Sequence, residues 1–453
     1  MQKLTKITAS IGPASEKFDT LKEMITAGVD VCRLNFSHDT GEVQGAKFDA
    51  IRKISAELGR PIAIIADLQG PKHRIGNFKT EAKYPLTVGQ EFVLDNNPAP
   101  GDSSRVQLPD EDVLSSLKVG DRVLLNDGKI ELEVTAATPA QAKTRVVRGT
   151  EIWSRRGFNL PDTMVATSVL TEKDRADLEY ALSKNPDFVA VSFVQNPEDI
   201  FGVRDFITAH SPRPVKIIAK IERPQAIERF EEIADAADAI MVARGDLAVE
   251  MPLEQVPAIQ RKLITVCRHK NKPVIVATQM LASMVNSEFP LRSEVADIAN
   301  VAYLRADSTM TSEETTIGEH PIKVIETMAK ILAYTDEDSI RNNYWSRREN
   351  LPENDWSRSV VSMSHLNKAA AIVVFARDCA RTAEISCRRP DVPIIAVCNS
   401  EIVANQLCLC RGVFPVFGEQ IFGQRDVRAA LESVGIGSGN IVVVDDDEVK
   451  LTK

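Results

Sequence analysis

The sequence predicts an α/β protein: a (β/α)8 TIM barrel that carries an inserted small β-barrel lid domain and is followed by a C-terminal α/β domain. Eight short apolar runs, each followed by a helix-like stretch, indicate the barrel. Alternating segments interrupt them after the third run and indicate the lid. A second series of apolar runs and helical patterns indicates the last domain. We therefore expect the barrel over 1–69 and 168–340, the lid over 70–167 and the C-terminal domain over 357–453.

The eight runs predict the parallel strands of the barrel, and each run ends in polar or charged residues. They lie at 6–10, 29–35, 62–67, 188–193, 215–222, 239–246, 273–279 and 306–311. The active site of such a barrel is built at the carboxyl ends of its strands. The residues that close these runs are therefore the first candidates for chemistry.

The remaining segments are typical of a β insert and a second sheet. Alternating patterns at 91–94, 122–125 and 129–134 surround Asn126-Asp127-Gly128, whose Asp-Gly step is a strong hairpin signal. A helical stretch at 320–335 precedes a polar span at 336–355, which we interpret as a linker. Apolar runs at 370–375, 393–397 and 441–444 predict a small doubly wound sheet.

Composition excludes several classes of protein. Hydrophobic residues make up 43% and charged residues 26% of the 453 positions, as in ordinary globular proteins. The net charge of −9 disfavours a broad nucleic-acid surface. No apolar run approaches the ~20 residues that a membrane span needs, and the first residues lead straight into a strand, so we expect a cytoplasmic protein.

Seven cysteines are scattered among apolar neighbours, which is typical of reduced, buried thiols. Cys408 and Cys410 stand close enough to suggest a metal, but no histidine lies near them in the sequence. A structural role is the simpler interpretation.

Three adjacent strand ends carry a possible metal and anion site. Lys220 and Glu222 are two residues apart in the fifth run, so a strand would place both on one side. Asp246, at the end of the sixth run, supplies a second carboxylate. With substrate oxygens, two carboxylates suit Mg²⁺, with Mn²⁺ as the alternative ion. A salt-bridge network is the competing interpretation, and the hydroxyl of Thr278 on the next strand argues against it.

Another candidate group closes the second and third runs. Arg33 and Asn35 share a face, and a guanidinium can clamp a phosphate with two hydrogen bonds. His38, taken alone, is more typical of a loop histidine, and Asp67 and Arg74 are not specific in isolation. The sequence has no Walker phosphate loop, zinc spacing or GxSxG elbow, so side chains and a metal would have to handle any phosphate.

Taken together, these segments resemble the pyruvate kinases from end to end. The motifs follow the order of the family: TKITASIGPAS at 5–15, RLNFSH at 33–38, GFNLP at 157–161, KIE at 220–222, ARGDL at 243–247 and ATQM at 277–280. The architecture of the family coincides with the segmentation above. The resemblance implies phosphoryl transfer from phosphoenolpyruvate to ADP, which gives pyruvate and ATP in glycolysis, and a homotetramer.

The resemblance also implies roles for individual residues. Glu222 and Asp246 would bind Mg²⁺, and Lys220 would stabilise the transferring phosphoryl group and the developing enolate. Arg33 and Thr278 complete the catalytic set, the first holding the phosphoryl group and the second helping to deliver a proton. Substrate binding would involve Arg33, Lys220, Gly245, Asp246 and Thr278, and nucleotide binding would involve Asn35, His38, Arg74 and Arg156.

A monovalent-cation corner is implied at Asn35, Ser37, Asp67 and Lys72. Family members that need K⁺ typically read Asp-Thr-Lys-Gly-Pro-Glu after the third strand, whereas residues 67–72 here read Asp-Leu-Gln-Gly-Pro-Lys, and Ile75 replaces a hydroxyl. Leu68 removes an oxygen ligand, and the ammonium of Lys72 would repel a bound cation. We expect that K⁺ is not required. Alternatively, Lys72 is simply a solvated loop residue.

Three positions depart from the family pattern: Leu291 replaces Thr in Thr-Arg-Ala-Glu, Glu313 replaces Gly in Ser-Gly-Glu-Thr, and Gln195 replaces a basic residue. Glu313 would place an extra carboxylate near an anion site. Two alternatives therefore remain open. One is a catalytically weak homologue with a regulatory or scaffolding role, and the other is a different phosphoenolpyruvate/pyruvate-barrel enzyme.

Overall fold

The computed structural model of the chain describes residues 3–165, 168–342, 356–437, 439–446 and 448–452. It begins with three strands that belong to a barrel: β1 (Lys6–Ser10), β2 (Val31–Asn35) and β3 (Ala63–Asp67). An inserted β unit follows, with strands β4 (Tyr84–Pro85), β5 (Glu91–Asp95), β6 (Arg105–Gln107), β7 (Arg122–Leu125), β8 (Ile130–Thr138), β9 (Gln141–Arg148), β10 (Glu151–Ile152) and β11 (Phe158–Asn159). We call this insert the lid unit.

Five further strands complete the barrel: β12 (Phe188–Val191), β13 (Lys216–Ile221), β14 (Ala239–Ala243), β15 (Val274–Ala277) and β16 (Ser308–Thr311). The barrel closes in the order β1-β16-β15-β14-β13-β12-β3-β2, and all its pairings are parallel. Both faces of these strands are buried, which explains why the sequence shows continuous apolar runs rather than alternation. The predicted TIM barrel is confirmed.

The lid unit and the C-terminal unit have separate sheets. In the lid unit, six strands pair in the order β11-β7-β8-β9-β5-β6, and β10 pairs with β4. The C-terminal unit has strands β17 (Ala371–Ala376), β18 (Ile394–Cys398), β19 (Val413–Phe417), β20 (Ile441–Asp445) and β21 (Glu448–Thr452). Its order is β19-β18-β17-β20-β21, in which only β21 runs antiparallel. The inserted β unit and the C-terminal α/β unit agree with the predicted fold class.

Helices of the barrel follow its strands, and one helix belongs to the lid unit. They are α1 (Phe18–Ala27), α2 (Gly41–Leu58), α3 (Glu111–Ser116, in the lid unit), α4 (Glu172–Ser183), α5 (Pro197–His210), α6 (Pro224–Glu228), α7 (Phe230–Ala236), α8 (Arg244–Glu250), α9 (Val256–His269), α10 (Arg292–Tyr303), α11 (Glu313–Thr316) and α12 (Pro321–Asn342). The C-terminal unit contains α13 (Trp356–Leu366), α14 (Ala380–Cys387), α15 (Glu401–Leu407), α16 (Glu419–Gln424) and α17 (Val427–Ser433).

Local sequence explains several helix starts. Thr171 begins α4 with a capping box, in which its hydroxyl accepts from the backbone of Asp174 while the Asp174 carboxylate accepts from Thr171. Asn196 begins α5 in the same way with Asp199, and Pro197 occupies the first helical position. No helix in the described parts of the chain is long and apolar enough to cross a membrane.

Two details of the prediction were wrong. The sixth strand ends at Ala243, so Asp246 lies in the first turn of α8 rather than on a strand. The span that we interpreted as a linker is helical through Asn342, and its other residues, 343–355, lie outside the described residues. The prediction failed because it took polar side chains as a sign of a solvated linker. Asp336 is instead buried, and it accepts hydrogen bonds from the backbone N–H groups of Leu4 and Thr5.

The C-terminal unit packs on the amino ends of the barrel strands, which we call the base; the carboxyl ends form the mouth. Leu409 enters the apolar cluster inside the barrel. Arg389 donates to both oxygens of Asp307, at 2.8 and 2.6 Å, and Arg411 donates to Asp336 at 2.6 Å. All seven cysteines are buried, as expected, and burial raises the pKa of the Cys408 thiol to about 12.

Candidate active site

The mouth of the barrel holds a compact group of alternating charges. Arg33, in β2, donates from Nε to Asp67 Oδ2 at 2.5 Å and from Nη1 to Ser10 Oγ at 2.9 Å. The ammonium of Lys220 lies 3.5 Å from the other oxygen of Asp67, which has no hydrogen-bond partner among the described residues. Asp67 is fully buried at the end of β3, between Arg33 on the neighbouring strand β2 and Lys220 on β13, which is the second strand along on the other side.

Lys220 and Glu222 meet as the strand pattern predicts. Lys220 Nζ lies 2.9 Å from Glu222 Oε1, and it donates to Ser192 Oγ at 2.6 Å. Burial opposes the charge of this lysine, but the carboxylates of Asp67 and Glu222 outweigh burial and raise its pKa. Lys220 therefore carries its full positive charge at neutral pH.

Glu222 is buried, and its second oxygen accepts from the backbone N–H of Phe193 at 2.8 Å. Burial raises the pKa of Glu222, and the negative charge of Asp246 raises it further, against the effect of Lys220. Two carboxylates thus repel each other at the mouth. A cation between them would remove this repulsion.

The next strand end brings Thr278 to α8. Thr278 Oγ1 accepts from Gly245 N–H at 2.8 Å and donates to Ala277 O at 2.6 Å. Thr278 has φ of 72°, a left-handed conformation that is rare for a β-branched residue. Arg244 stabilises this conformation by donating to Thr278 O at 2.7 Å, and its other end binds Asp297 at 2.7 Å. Such stored backbone strain is typical of functional sites.

The candidate nucleotide residues lie around this group. His38 and Arg74 are exposed, and Arg74 pairs through its backbone with Gly157 of the lid unit. Arg156, in the lid unit, stacks over Trp153 with its guanidinium 4.9 Å from the ring centre.

The predicted monovalent-cation corner is only partly assembled. Asn35 Oδ1 accepts from the Ser37 N–H at 3.1 Å, and Asp67 is paired with Arg33. Lys72 is exposed, and its side chain passes near the lid unit, 3.7 Å from where a Cβ on Gly157 would lie. The structure therefore does not place the Lys72 ammonium on Asp67.

The three departures from the family pattern have clear positions. Glu313 is exposed at the start of α11, whereas the next residue, Glu314, is buried and accepts from Leu281 and Ser312 N–H groups. Gln195 is buried and donates to Val165 O of the lid unit at 3.3 Å. Leu291 is 58% exposed just before α10. The expectation that Glu313 places an extra carboxylate near an anion site stays a prediction, because its exposure does not decide it.

Sequence reasoning missed several residues of the site. Ser192 binds Lys220 directly and donates to Leu68 O at 2.8 Å, and Arg244 supports Thr278. Glu250, at the end of α8, is buried and accepts from Asn159 of the lid unit at 2.8 Å. Ser192 follows a strand directly, so strand-end position was an available signal. The role of Glu250 depends on a contact between distant segments, for which the sequence carries no signal.

The fold and the site together define a (β/α)8-barrel enzyme whose mouth combines two cations with convergent carboxylates beneath a β lid. The family model described as "Pyruvate kinase, barrel domain" matches residues 2–325, and that described as "Pyruvate kinase, alpha/beta domain" matches residues 354–448. The chain belongs to the pyruvate kinase family.

Individual relatives agree with this assignment. The chain is 41% identical to a pyruvate kinase of Methylorubrum extorquens over 91% of its own length and 86% of the relative. It is 36% identical to a pyruvate kinase of Thermococcus litoralis over 99% of its length and 94% of the relative. A crystal structure of a pyruvate kinase from Cryptosporidium parvum superposes with a TM-score of 0.92 at 29% identity, covering 100% of this chain and 96% of that one.

Proposed function

We propose that this enzyme transfers a phosphoryl group from phosphoenolpyruvate to ADP in glycolysis, with Mg²⁺, and that it does so as a cytoplasmic homotetramer. The observation that carries the proposal is the convergence of Arg33, Lys220, Glu222 and Asp67 at the mouth of the barrel. A trianionic phosphate ester requires such fixed cations, and a divalent cation requires the carboxylates.

Glu222 and Asp246 would hold the Mg²⁺. The donors are oxygen atoms only, and their mutual repulsion, seen in the raised pKa of Glu222, favours a bound cation. Among the described residues, no group of three or more acidic, His or Cys side chains converges, so substrate and water would complete the coordination shell. Mg²⁺ is typically bound in this way, by one or two carboxylates plus phosphate oxygens. When bound, the ion would neutralise charge on the substrate oxygens.

Arg33 and Lys220 supply fixed positive charge for the phosphoryl group. The guanidinium of Arg33 is oriented by Asp67 and Ser10, and the ammonium of Lys220 by Glu222 and Ser192. Because these partners hold the cations in place, little reorganisation is needed as charge moves in the transition state. Phosphoryl transfer has a loose transition state, in which such electrostatic positioning is the main contribution of the protein.

Thr278 and Gly245 would form the substrate side of the site. The Thr278 hydroxyl would pass a proton to the methylene carbon of the enolate, which yields pyruvate. The hydroxyl donates to Ala277 O in the structure, so it would have to turn toward the substrate to deliver its proton, and a proton from water would then replace the one it gives up. The Gly245 N–H that binds Oγ1 would stabilise negative charge on this oxygen during the transfer. A Cβ at Gly245 would lie 3.4 Å from the same oxygen, so this residue and Thr278 are in van der Waals proximity.

ADP would bind between the barrel mouth and the lid unit. Arg74 and Arg156 lie on either side of the Gly157 backbone and would contact the phosphates of the nucleotide, together with His38 and Asn35. The acceptor phosphate would then lie between a segment of the barrel and a segment of the lid unit. The lid unit would therefore control how well ADP is aligned.

The direct test is an assay with phosphoenolpyruvate and ADP, coupled to lactate dehydrogenase. We expect turnover within the ~1–10³ s⁻¹ usual for enzymes, and turnover below ~10⁻² s⁻¹ would contradict the proposal. Phosphoenolpyruvate consumption without ATP formation would instead indicate another enzyme of the phosphoenolpyruvate/pyruvate-barrel group. The same assay decides on the catalytically weak homologue, whose motivation is Glu313 and Leu291.

A further inference from the structure

One side-chain hydrogen bond joins the lid unit to the helix that carries Asp246. The amide of Asn159, on β11, donates from Nδ2 to Glu250 Oε1 at 2.8 Å, and Glu250 is the last residue of α8. Gly245 and Asp246 lie in the first turn of this helix. The helix has only seven residues, so a contact at its end constrains its beginning.

Glu250 is placed for a specific partner rather than for solvation. The side chain is 2% exposed, and its Oε2 has no hydrogen-bond partner among the described residues. Burial raises the pKa of Glu250 to about 7, although Arg223 and the hydrogen bond from Asn159 oppose this shift. A buried carboxyl of this kind is costly, and a purely apolar residue would pack at lower cost. The free energy spent on burying Glu250 suggests that its hydrogen bond with Asn159 has a role in the active site.

The lid end of the bond lies in β11, which directly follows the segment that carries the candidate nucleotide contact Arg156. Asn159 follows Arg156 and Gly157 closely, and Gly157 forms the backbone bridge with Arg74. Strand β11 is also held by β7, through pairing of Asn159 with Leu124. A displacement of Asn159 would therefore move both candidate arginines with it.

The surrounding lid contacts are weaker. The turn at Gly128 approaches α8 only by van der Waals contact, since a Cβ there would lie 3.6 Å from Val249 Cγ1. Gln225 donates to Pro161 O at a longer 3.2 Å and belongs to α6, not α8. Among these contacts, only the bond between Asn159 and Glu250 is a side-chain hydrogen bond to α8, the helix that carries Asp246.

We infer that Asn159 and Glu250 form a latch that aligns the lid-borne nucleotide contacts with the carboxylate of Asp246. Both are positioning residues, because neither is placed against the reacting atoms. The inference rests on the proposed function for its effect on ADP, but the latch itself is a property of the protein without substrates. Its loss should impair ADP use more than phosphoenolpyruvate use, because the lid carries nucleotide contacts.

The test is a reciprocal exchange. Asn159→Asp, assayed at pH 8.5 and thus above the pKa of about 7 of Glu250, sets two carboxylates against each other. It should lower kcat/KM for ADP at least tenfold, with a smaller change for phosphoenolpyruvate. Asn159→Asp combined with Glu250→Gln restores a hydrogen bond of opposite direction, because the glutamine amide can donate to the aspartate. This double variant should recover most of the loss. Gln225→Ala, which removes another lid contact, is the matched control and should change the ratio of the two KM values less than twofold.

Amide hydrogen exchange of the protein without ligands tests the latch independently of activity. Asn159→Asp should speed exchange at least fivefold in both Phe158–Asn159 and Arg244–Glu250, and the double variant should reverse the change. Unchanged exchange in α8, or a double variant no better than Asn159→Asp, would overturn the inference. If the wild-type protein formed no ATP, the proposed function would fail while the exchange experiment still decided on the latch.

Discussion

The mouth and the base of the barrel both contain buried pairs of aspartate and arginine, but the pairs have different roles. At the base, Asp307 binds Arg389 through both oxygens and also accepts from the backbone N–H groups of Arg411 and Val274. At the mouth, one oxygen of Asp67 has no hydrogen-bond partner among the described residues, although it is equally buried. Both carboxylate oxygens of Asp307 are thus satisfied, although Arg389 Nε and Arg411 Nε at the base lack a partner among the described residues. The free oxygen of Asp67 could instead accept a hydrogen bond from a substrate or a water molecule.

Charge sharpens the difference, whereas backbone conformation does not. Thr278 and Gln279, at the mouth, have positive φ of 72° and 55°, and Arg389, at the base, has a positive φ of 55° as well. The pKa of Glu222 is raised by burial and by Asp246, so the mouth has carboxylates that the protein alone does not fully compensate. A buried carboxylate whose oxygens are all hydrogen-bonded indicates a structural ion pair, and one with an oxygen left free indicates a functional site. Applied to the two aspartates, this criterion separates Asp307 from Asp67 where residue type does not.

The largest effect is expected at the mouth. Lys220→Met, Glu222→Ala and Asp246→Ala should each abolish turnover while leaving circular dichroism unchanged, because they remove charge stabilisation of the transition state. Glu313→Gln, which neutralises an exposed carboxylate on the same rim, is the control and should retain activity. A charge variant that keeps a tenth of wild-type activity would have lost only ~1.4 kcal/mol and would contradict the assigned role.

At the base, the effect should appear in stability and not in catalysis. Arg389→Met leaves Asp307 buried without its partner and should destabilise the fold by about 3–5 kcal/mol. Denaturant unfolding measures the loss, and turnover per folded molecule should stay within about twofold of wild type. Arg428→Met removes an exposed pair with Glu432 and should cause no measurable change. Equal losses in the two variants would show that the base pair is not structural.

The buried carboxyl of Glu250 should make the stability of the fold depend on pH. Its pKa is about 7 in the fold, against an ordinary 4.5, so the folded state holds the proton more tightly. Its contribution to stability therefore falls as pH rises from about 4.5 to 7, by at most ~3 kcal/mol. Glu250→Gln removes this titration, and Asn159, Arg223, Glu222 and Asp246 are the groups that act on it.

The Glu250→Gln variant should thus gain thermal stability relative to wild type between pH 5 and pH 8. The unfolding midpoint is to be measured in the presence of a chelator, so that no divalent cation binds the neighbouring carboxylates. A difference between the two proteins that is independent of pH would show that the carboxyl is ionised throughout, as an ordinary glutamate would be.

The sequence predicted the barrel well because parallel strands buried on both faces leave continuous apolar runs, as at Ala63–Asp67. It also predicted the meeting of Lys220 and Glu222, since strand alternation fixes which side each residue faces. It failed where polarity has a tertiary cause: Asp336 looked like part of a linker but binds the backbone before β1. The contact between Asn159 and Glu250 joins segments 91 residues apart and follows no local periodicity.

The smallest effect concerns the monovalent-cation corner. We predict that activity in KCl exceeds that in tetramethylammonium chloride by less than tenfold, at constant ionic strength and with Mg²⁺ saturating. The charge of Asp67 is already balanced by Arg33 and Lys220, at 2.5 and 3.5 Å, and Leu68 provides no side-chain oxygen. An additional cation there would face repulsion of several kcal/mol at ~4 Å if the effective dielectric constant is near 20.

Variants of Lys72 test which cations balance the negative charge of Asp67. If its ammonium moves into the corner when substrates bind, Lys72→Glu should lose activity, and K⁺ should restore part of it. In the structure, however, Lys72 is exposed beside the lid unit, so Arg33 and Lys220 alone balance Asp67. Lys72→Met separates the two cases, because it removes the ammonium without adding a carboxylate. Full activity in Lys72→Met would show that Arg33 and Lys220 are sufficient for activity without K⁺. Stimulation of the wild type by K⁺ of tenfold or more would refute the prediction of K⁺ independence.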